Sequence, residues 1–391
     1  MTELLRLDNP IRAYDWGSRD VLAGLLGRPV PSAGPEAELW IGAHPGAPSR
    51  IAGRGSLLER IDRDPVRMLG PGVGRLPFLL KVLAVDAPLS LQVHPDAGQA
   101  VQGFAREESC GPPAGDPKRC YHDDWPKPEL VYAVTDFEAL CGFRPVADAA
   151  AELRTLGGAR LAEVAGAVES GGPRGALELL ANWPVHDRAD LVGEVLASGG
   201  WRELLARRYP HDPGVVTALL LNRVVLRPGQ ALFARPRTIH AYLRGTGVEI
   251  MASSDNVLRG GLTPKHIDLP ELLEVTDFTP GLPELVSPVA MGGGEVLYPA
   301  PVTQFQLTRL RPDPAVEVAE PGPGALLCLE GELEVARGAC RERLRCGEAL
   351  FIPHAGGALR VTGDGTGFRA AVPCGPPGKN GEGLGEFVSF P

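Results

Sequence analysis

The side chains able to do chemistry in this sequence come in short clusters separated by long intervals. In LSLQVHPD, residues 89–96, Gln92 and His94 stand two apart in an alternating stretch. Residues two apart on a strand share a face, so the amide and the imidazole point the same way. Such a pair is solvated, hydrogen-bonded in a core, or half of a metal site. WPKPELVYAV places Lys127 and Glu129 on one face if it is extended, with Pro128 restricting the backbone between them, and RTIHAYL supplies His240. Taken singly none is diagnostic, because a lone strand histidine is usually a core or surface residue and a strand carboxylate is usually solvated. In ASSDNVLRGGLTPKHID, the Asp-Asn pair and Gly260-Gly261 predict a turn with close backbone approach that carries Arg259 inward. Its guanidinium suits oxyanions; the plainer alternative is an Asp255–Arg259 ion pair at i, i+4 on a surface turn.

The elements that must position these groups read as mainly β. AELWIGA, LPFLLKVLAV, PLSLQVH and ELVYAVT are strand-like pieces cut by turn signals, and 96–124 reads as a long, mobile, polar surface loop. From 147 to 221 the chain is rich in Ala and Leu at helical spacing, with Leu191, Val192, Val195 and Leu196 forming one apolar stripe. Strand character returns at Arg223 and again beyond 285 (QFQLTRL, ALLCLEGELEVARG, EALFIPH). GQALFARPRTIHAY from Gly229 and GEALFIPHAGGAL from Gly347 share a turn, a buried strand and a proline. Two related small barrels or jelly rolls follow from that likeness, His240 of the first falling opposite Gly357 of the second. The expected division is 1–146 and 222–284 for a catalytic barrel, 147–221 for a helical insertion, and 285–391 for a C-terminal barrel. His354 has no partner placed like those of the first site, so the second barrel is expected to bind no metal and to pack against the first. His44, in GAHPGAP, reads as a structural turn residue.

Composition bounds the function classes. The 391 residues are 44% hydrophobic and 22% charged, globular values for two or three domains. A net charge of −9 argues against nucleic acid but not against a small anion met by a few local Lys and Arg. No segment reads as a membrane span or signal peptide, and seven cysteines without CxxC spacing suggest free thiols in a reducing cytoplasm.

NPIRAYDWGSRDVLAGLLG, AELWIGAHPGAPSRI, LPFLLKVLAVDAPLSLQVHPD, KPELVYAV, IHAYLRG and EIMASSDNVLRGGLTPKHID together resemble the type I mannose-6-phosphate isomerases, zinc enzymes of the cupin superfamily. The resemblance implies two cupin-like barrels plus a helical domain, and one Zn²⁺ per chain held by Gln92, His94, Glu129 and His240. That set suits zinc, and its single anionic ligand would leave the site a Lewis acid. The resemblance assigns a catalytic role to Arg259 and offers Lys265 as a phosphate contact, with Lys81, Ser90 and Trp16 as further substrate contacts. Ser90 shares the face of Gln92 and His94 if the strand stays regular.

The implied reaction interconverts mannose 6-phosphate and fructose 6-phosphate through a cis-enediolate, in a monomer whose partner is only the phosphosugar. Lys127 is the candidate proton carrier and Asp255 its competitor. The family often has a histidine just before its Lys-Pro-Glu triplet; here Pro126 stands there and His122 is not at the matching position. The rivals are an iron-dependent cupin oxygenase and a non-catalytic sugar-binding cupin, against which metal analysis and oxygen consumption discriminate.

Overall fold

Alternation of buried side chains builds the frame around the site. The computed structural model describes residues 3–319, 322–354 and 356–373. In the strand Phe78–Val85 every residue is buried, yet its two faces go to different places. Phe78, Leu80, Val82 and Ala84 enter a core shared with Leu327, Phe351 and Phe368 of the C-terminal region. Leu83 and Val85 pack instead with Val131, Phe137 and Tyr242, and Lys81, on that same face, lines the interior cavity.

The sheet that holds this strand runs in the order Glu284–Leu285, Ala231–Ala234, Glu129–Ala133, His240–Ala252, Phe78–Val85, Glu38–Gly42, Ile11–Arg12. His240–Ala252 joins its two walls. Its second half pairs with Phe78–Val85 and Glu129–Ala133, and its first half with Phe137–Phe143 and with Gln92 of Leu91–Val93. The strand turns the corner at Gly245, whose φ is +125° and where a Cβ would lie 2.6 Å from the Asp136 carbonyl oxygen. Leu91–Val93 then pairs with Leu258–Gly261, which delivers Arg259 beside Gln92.

The C-terminal region is a second β-sandwich. Its nine-stranded sheet faces a four-stranded one across Leu326, Leu350, Ile352, Leu333, Val335 and Val361. The opposite face of the same strands, through Ala325, Leu327 and Phe351, packs against Phe78, Leu80 and Val82 in one continuous core. Ala231–Ala234 and Ala349–Ile352, the two like pieces of sequence, are both wholly buried strands. His354 donates its backbone N–H to the Met68 carbonyl, and its ring lies against Gly70. The pairing does not follow linear order: Leu5–Asp8 lies between Ala349–Ile352 and Arg50–Ile51 in the nine-stranded sheet.

Helices fill the interval where the Ala/Leu spacing predicts them: Val146–Leu156, Ala159–Ala181, Arg188–Leu196, Gly200–Arg208 and Gly214–Leu219. The second is two helices in line, broken at Gly172 (φ +63°) before Pro173. Leu191, Val192 and Val195 are buried, but Leu196 is exposed, so the stripe is narrower than the sequence implies.

The expected loop at 96–124 is corrected. Ala97–Cys110 is a helix, begun by a capping box in which Asp96 accepts from the Gln99 N–H and the Gln99 side chain accepts from the Asp96 N–H. Only Ala100 and Gly103 of this helix are buried, which is why no apolar period announces it. Glu107 accepts hydrogen bonds from the backbone of Cys120 and Tyr121, and this ties the following segment back onto the helix.

Gly103 lets the Tyr121 ring touch the helix backbone: a Cβ there would lie 2.3 Å from the ring, which a 2.5 Å hydrogen bond from its hydroxyl to Glu271 holds in place. Alanine in place of a helical glycine ordinarily stabilises by about 1 kcal/mol. Here overpacking of about 1–3 kcal/mol opposes it, so Gly103→Ala is expected to lower the thermal unfolding midpoint. A raised midpoint would show that the ring has room to retreat.

Candidate metal centre and substrate pocket

Gln92, His240 and Arg259 are direct cross-strand neighbours, Gln92 standing opposite both of the others. Glu129 opens the adjacent strand, and His94 follows Leu91–Val93. Three buried side chains, His94, Glu129 and His240, thereby bring one ligand atom each within 4.8 Å of one another. His94 Nε2 lies 3.4 Å from Glu129 Oε1, and His240 Nε2 lies 3.1 Å from Glu129 Oε2. The Gln92 amide is 3.5 Å from His240 Nε2, and rotating it end for end would present its oxygen.

The second nitrogen of each imidazole decides what the cluster can hold. His94 Nδ1 donates to the Asn256 carbonyl at 2.7 Å, and His240 Nδ1 donates to the Thr238 carbonyl at 2.9 Å. His94 Nε2 therefore turns a lone pair toward the carboxylate, whereas His240 Nε2 is within hydrogen-bond distance of it at 3.1 Å and donates when the ring is protonated. Burial, with Lys127, pushes His94 down to about 4, so it is neutral near pH 7, and its buried Nε2 has no hydrogen-bond donor. Burial opposes charge on His240 too, but Glu129 outweighs it and raises the imidazole above its ordinary value. Burial would raise Glu129; Lys127 and the two histidines hold it well below the usual carboxylate range instead. A buried His94 Nε2 with no hydrogen-bond partner beside a carboxylate is a site that a divalent cation relieves, and the set of two imidazoles, one carboxylate and an amide fits such an ion.

The cluster forms the floor of a cavity of about 590 Å³. Gln92, Glu129, Lys127, Asp255, Arg259, Lys265, Lys81, Ser90 and Trp16 all line it, and His94 and His240, which do not, converge on its Glu129. Lys127 Nζ is 3.2 Å from Glu129 Oε1. Burial lowers Arg259 from its ordinary value, and no carboxylate forms an ion pair with it among the described residues. The i, i+4 alternative is therefore corrected: Asp255 lies 3.4 Å from His44 Nε2. The turn carries the two side chains apart because Asn256 is anchored elsewhere. That residue is wholly buried, its amide oxygen accepting from the His122 and Asp123 N–H groups and its NH₂ donating to the Asp123 and Trp125 carbonyls. His44 accepts at Nδ1 from the Gly46 N–H, the turn contact expected of it, and faces Asp255 with the other nitrogen.

Lys81, a candidate substrate contact, is held in ion pairs. It is buried, 3.0 Å from Glu249 and 3.6 Å from Glu38. Burial opposes its charge, but the two carboxylates outweigh it and hold Lys81 above its ordinary value. Glu249 also accepts from the Tyr242 hydroxyl at 2.8 Å, and Glu38 from the Trp40 indole. None of Glu38, Glu249, Tyr242 and Asn256 is apparent from local sequence. The one available signal is that Glu249, Met251 and Lys81 lie on inward-facing strand positions. Trp16 packs on the first barrel's interior cluster and stacks on Tyr14, so packing and pocket lining coexist.

Known proteins agree with this geometry. The family described as phosphomannose isomerase type I, catalytic domain, matches residues 4–146. A mannose-6-phosphate isomerase of Shigella flexneri is 37% identical over 383 residues, which covers 92% of this chain and 97% of that one. An Arabidopsis thaliana protein, mannose-6-phosphate isomerase 1, is 30% identical over 90% of this chain and 89% of its own. A zinc-bound crystal structure of mannose 6-phosphate isomerase superposes with a TM-score of 0.87 at 35% identity, covering 94% of this chain and 99% of that one. Identity at this level along nearly the whole of both chains means that this chain is an isomerase and belongs to the type I mannose-6-phosphate isomerase (phosphomannose isomerase) family.

Proposed function

We propose that the chain interconverts mannose 6-phosphate and fructose 6-phosphate with one zinc ion held by His94, Glu129, His240 and Gln92. The observation that carries this reading is the convergence of two buried imidazoles on one buried carboxylate, with His94 Nε2 left without a hydrogen-bond partner, beside a cavity containing an arginine that forms no ion pair with any described carboxylate. Zinc bound there would supply Lewis acidity toward the sugar's carbonyl and hydroxyl oxygens.

The chain's own residues do the rest. Aldose–ketose exchange moves a proton between C2 and C1 and leaves negative charge on oxygen as it does so. Arg259, half-buried beside Gln92 and without a carboxylate partner, stabilises the cis-enediolate oxygen by charge-assisted hydrogen bonds. Lys127 carries the proton, with Asp255 the competing group on the same cavity. Lys265 meets the phosphate, and Ser90 and Trp16 contact the sugar. Lys81, locked between Glu38 and Glu249, acts on the substrate through the charge that it holds at the cavity wall.

On the same reading, 1–146 and 222–284 form the catalytic unit, 147–221 the helical insertion and 285–391 the second barrel, of which 374–391 lie outside the described residues. The second barrel carries no metal. The enzyme works as a monomer in the cytoplasm; the six described cysteines are all free, as a reducing compartment would keep them. No described helix is long and apolar enough to cross a membrane.

Three outcomes are expected. Arg259→Ala lowers kcat by about 10²–10³, the usual effect of removing one oxyanion donor, in an assay coupled to fructose 6-phosphate; unchanged turnover would sink its assignment. Chelation abolishes activity and added zinc restores it with no oxygen consumed, whereas recovery only with iron and oxygen uptake would favour the oxygenase. Solvent deuterium exchange at C1 and C2 is lost in Lys127→Ala and persists in Asp255→Asn; the reverse pattern would make Asp255 the carrier.

A further inference from the structure

The helical insertion reaches the cavity through Arg208 and Tyr209, at the end of Gly200–Arg208. Arg208 Nη2 lies 3.2 Å from the Asp15 carboxylate, and Tyr209 donates its hydroxyl to the Pro88 carbonyl at 3.2 Å, which fixes the helix end over the cavity rim. Asp15 is 87% exposed, and Arg208 is steadied on its own side by the Tyr209 hydroxyl, which accepts from its Nε at 3.3 Å. Lys265 stands at the same rim. Burial and the like charge of Arg259 press it below its ordinary value, and Asp15 is the carboxylate that opposes them. Asp15 therefore pairs with Arg208 at a rim shared with Lys265 and Arg259, two cations that form no ion pair with any described carboxylate.

We propose that Arg208 binds the substrate's phosphate, and that the phosphate takes the place of Asp15 when it does so. The proposal rests on the isomerase reading and adds to it a residue from the helical insertion. The chemistry favours the exchange. A phosphomonoester near pH 7 carries up to two charges and three acceptor oxygens, while Asp15 offers one charge in a solvent-exposed and therefore weak pair. An unphosphorylated hexose has nothing with which to displace Asp15, so the pair selects for the phosphate as well as binding it. The remaining lining supports the position. Asp212 accepts from the backbone N–H groups of Gly214 and Thr263, and Gly214 and Gly261 touch so closely that a Cβ on either would lie within 2.7 Å of the other's Cα. The insertion and the loop carrying Lys265 are thus clamped into one rigid rim.

The test uses the full chain and three variants, Arg208→Ala, Arg208→Lys and Asp15→Asn, with mannose 6-phosphate as substrate and inorganic phosphate as the probe. Arg208→Ala is expected to raise KM about tenfold or more with kcat within about threefold, and Arg208→Lys to recover part of the loss. Asp15→Asn is expected to shift KM the other way, downward. Inorganic phosphate, followed both as a competitive inhibitor and by its thermal stabilisation of the protein, should bind more weakly to Arg208→Ala and more tightly to Asp15→Asn. A KM for folded Arg208→Ala within about twofold of the parent, or weaker phosphate binding in Asp15→Asn, would overturn the proposal. Absence of isomerase activity in the parent chain would instead overturn the underlying reading, and the phosphate-induced thermal shift remains interpretable in that case.

Discussion

A lone pair buried without a proton to accept is a standing electrostatic demand, and this fold is arranged to create that demand at one point. His94 and His240 each use the outer nitrogen on a backbone carbonyl, and the inner nitrogens face Glu129. Fixing the tautomers is a task for the backbone: the Asn256 carbonyl is held by four hydrogen bonds to the Asn256 side chain, and the Thr238 carbonyl lies in the turn entering His240–Ala252. Without these two carbonyls, either imidazole could place a proton on its inner nitrogen and satisfy Glu129 directly. The affinity of the cluster for a cation therefore depends on atoms that are not themselves ligands.

Charge in the cavity is paired at close range. Glu38, Glu129 and Glu249 are met by Lys81 and Lys127, all within 4 Å of a partner. Arg259 remains outside that network, and desolvated charge without a partner is what an anionic intermediate can use. Position on the sheet explains the division. Lys81 and Glu249 are direct cross-strand partners, whereas Arg259 stands opposite an uncharged amide, Gln92.

How much of this was legible in the sequence varies with the range of the interaction. Period-two alternation was enough to put Gln92 beside His94 and Lys127 beside Glu129, because a strand's faces are a local property. Bringing Glu129 to His240 is a matter of which strands are neighbours, and only resemblance to a family carried that. The Asp255–Arg259 pair failed for a related reason: i, i+4 spacing implies contact on a helix, but Asn256 bends this segment into a turn and then a strand. The partners of Lys81, Glu38 and Glu249, are distant in sequence, so nothing local shows that this candidate substrate contact is held in ion pairs. The helix Ala97–Cys110 was read as a loop because it buries an alanine and a glycine, and no hydrophobic period arises from two small residues.

The strand Leu5–Asp8 hydrogen-bonds between Ala349–Ile352 and Arg50–Ile51, inside the sheet that otherwise belongs to the C-terminal barrel. Its place exists only once residues beyond 349 have been made, so opposite ends of the polypeptide must meet before either sandwich is whole. Loop closure over that separation is slow and late. The topology makes the second barrel a fastener as well as a lobe: loosening it would leave the N-terminal segment that leads into the Asp15 rim without an anchor.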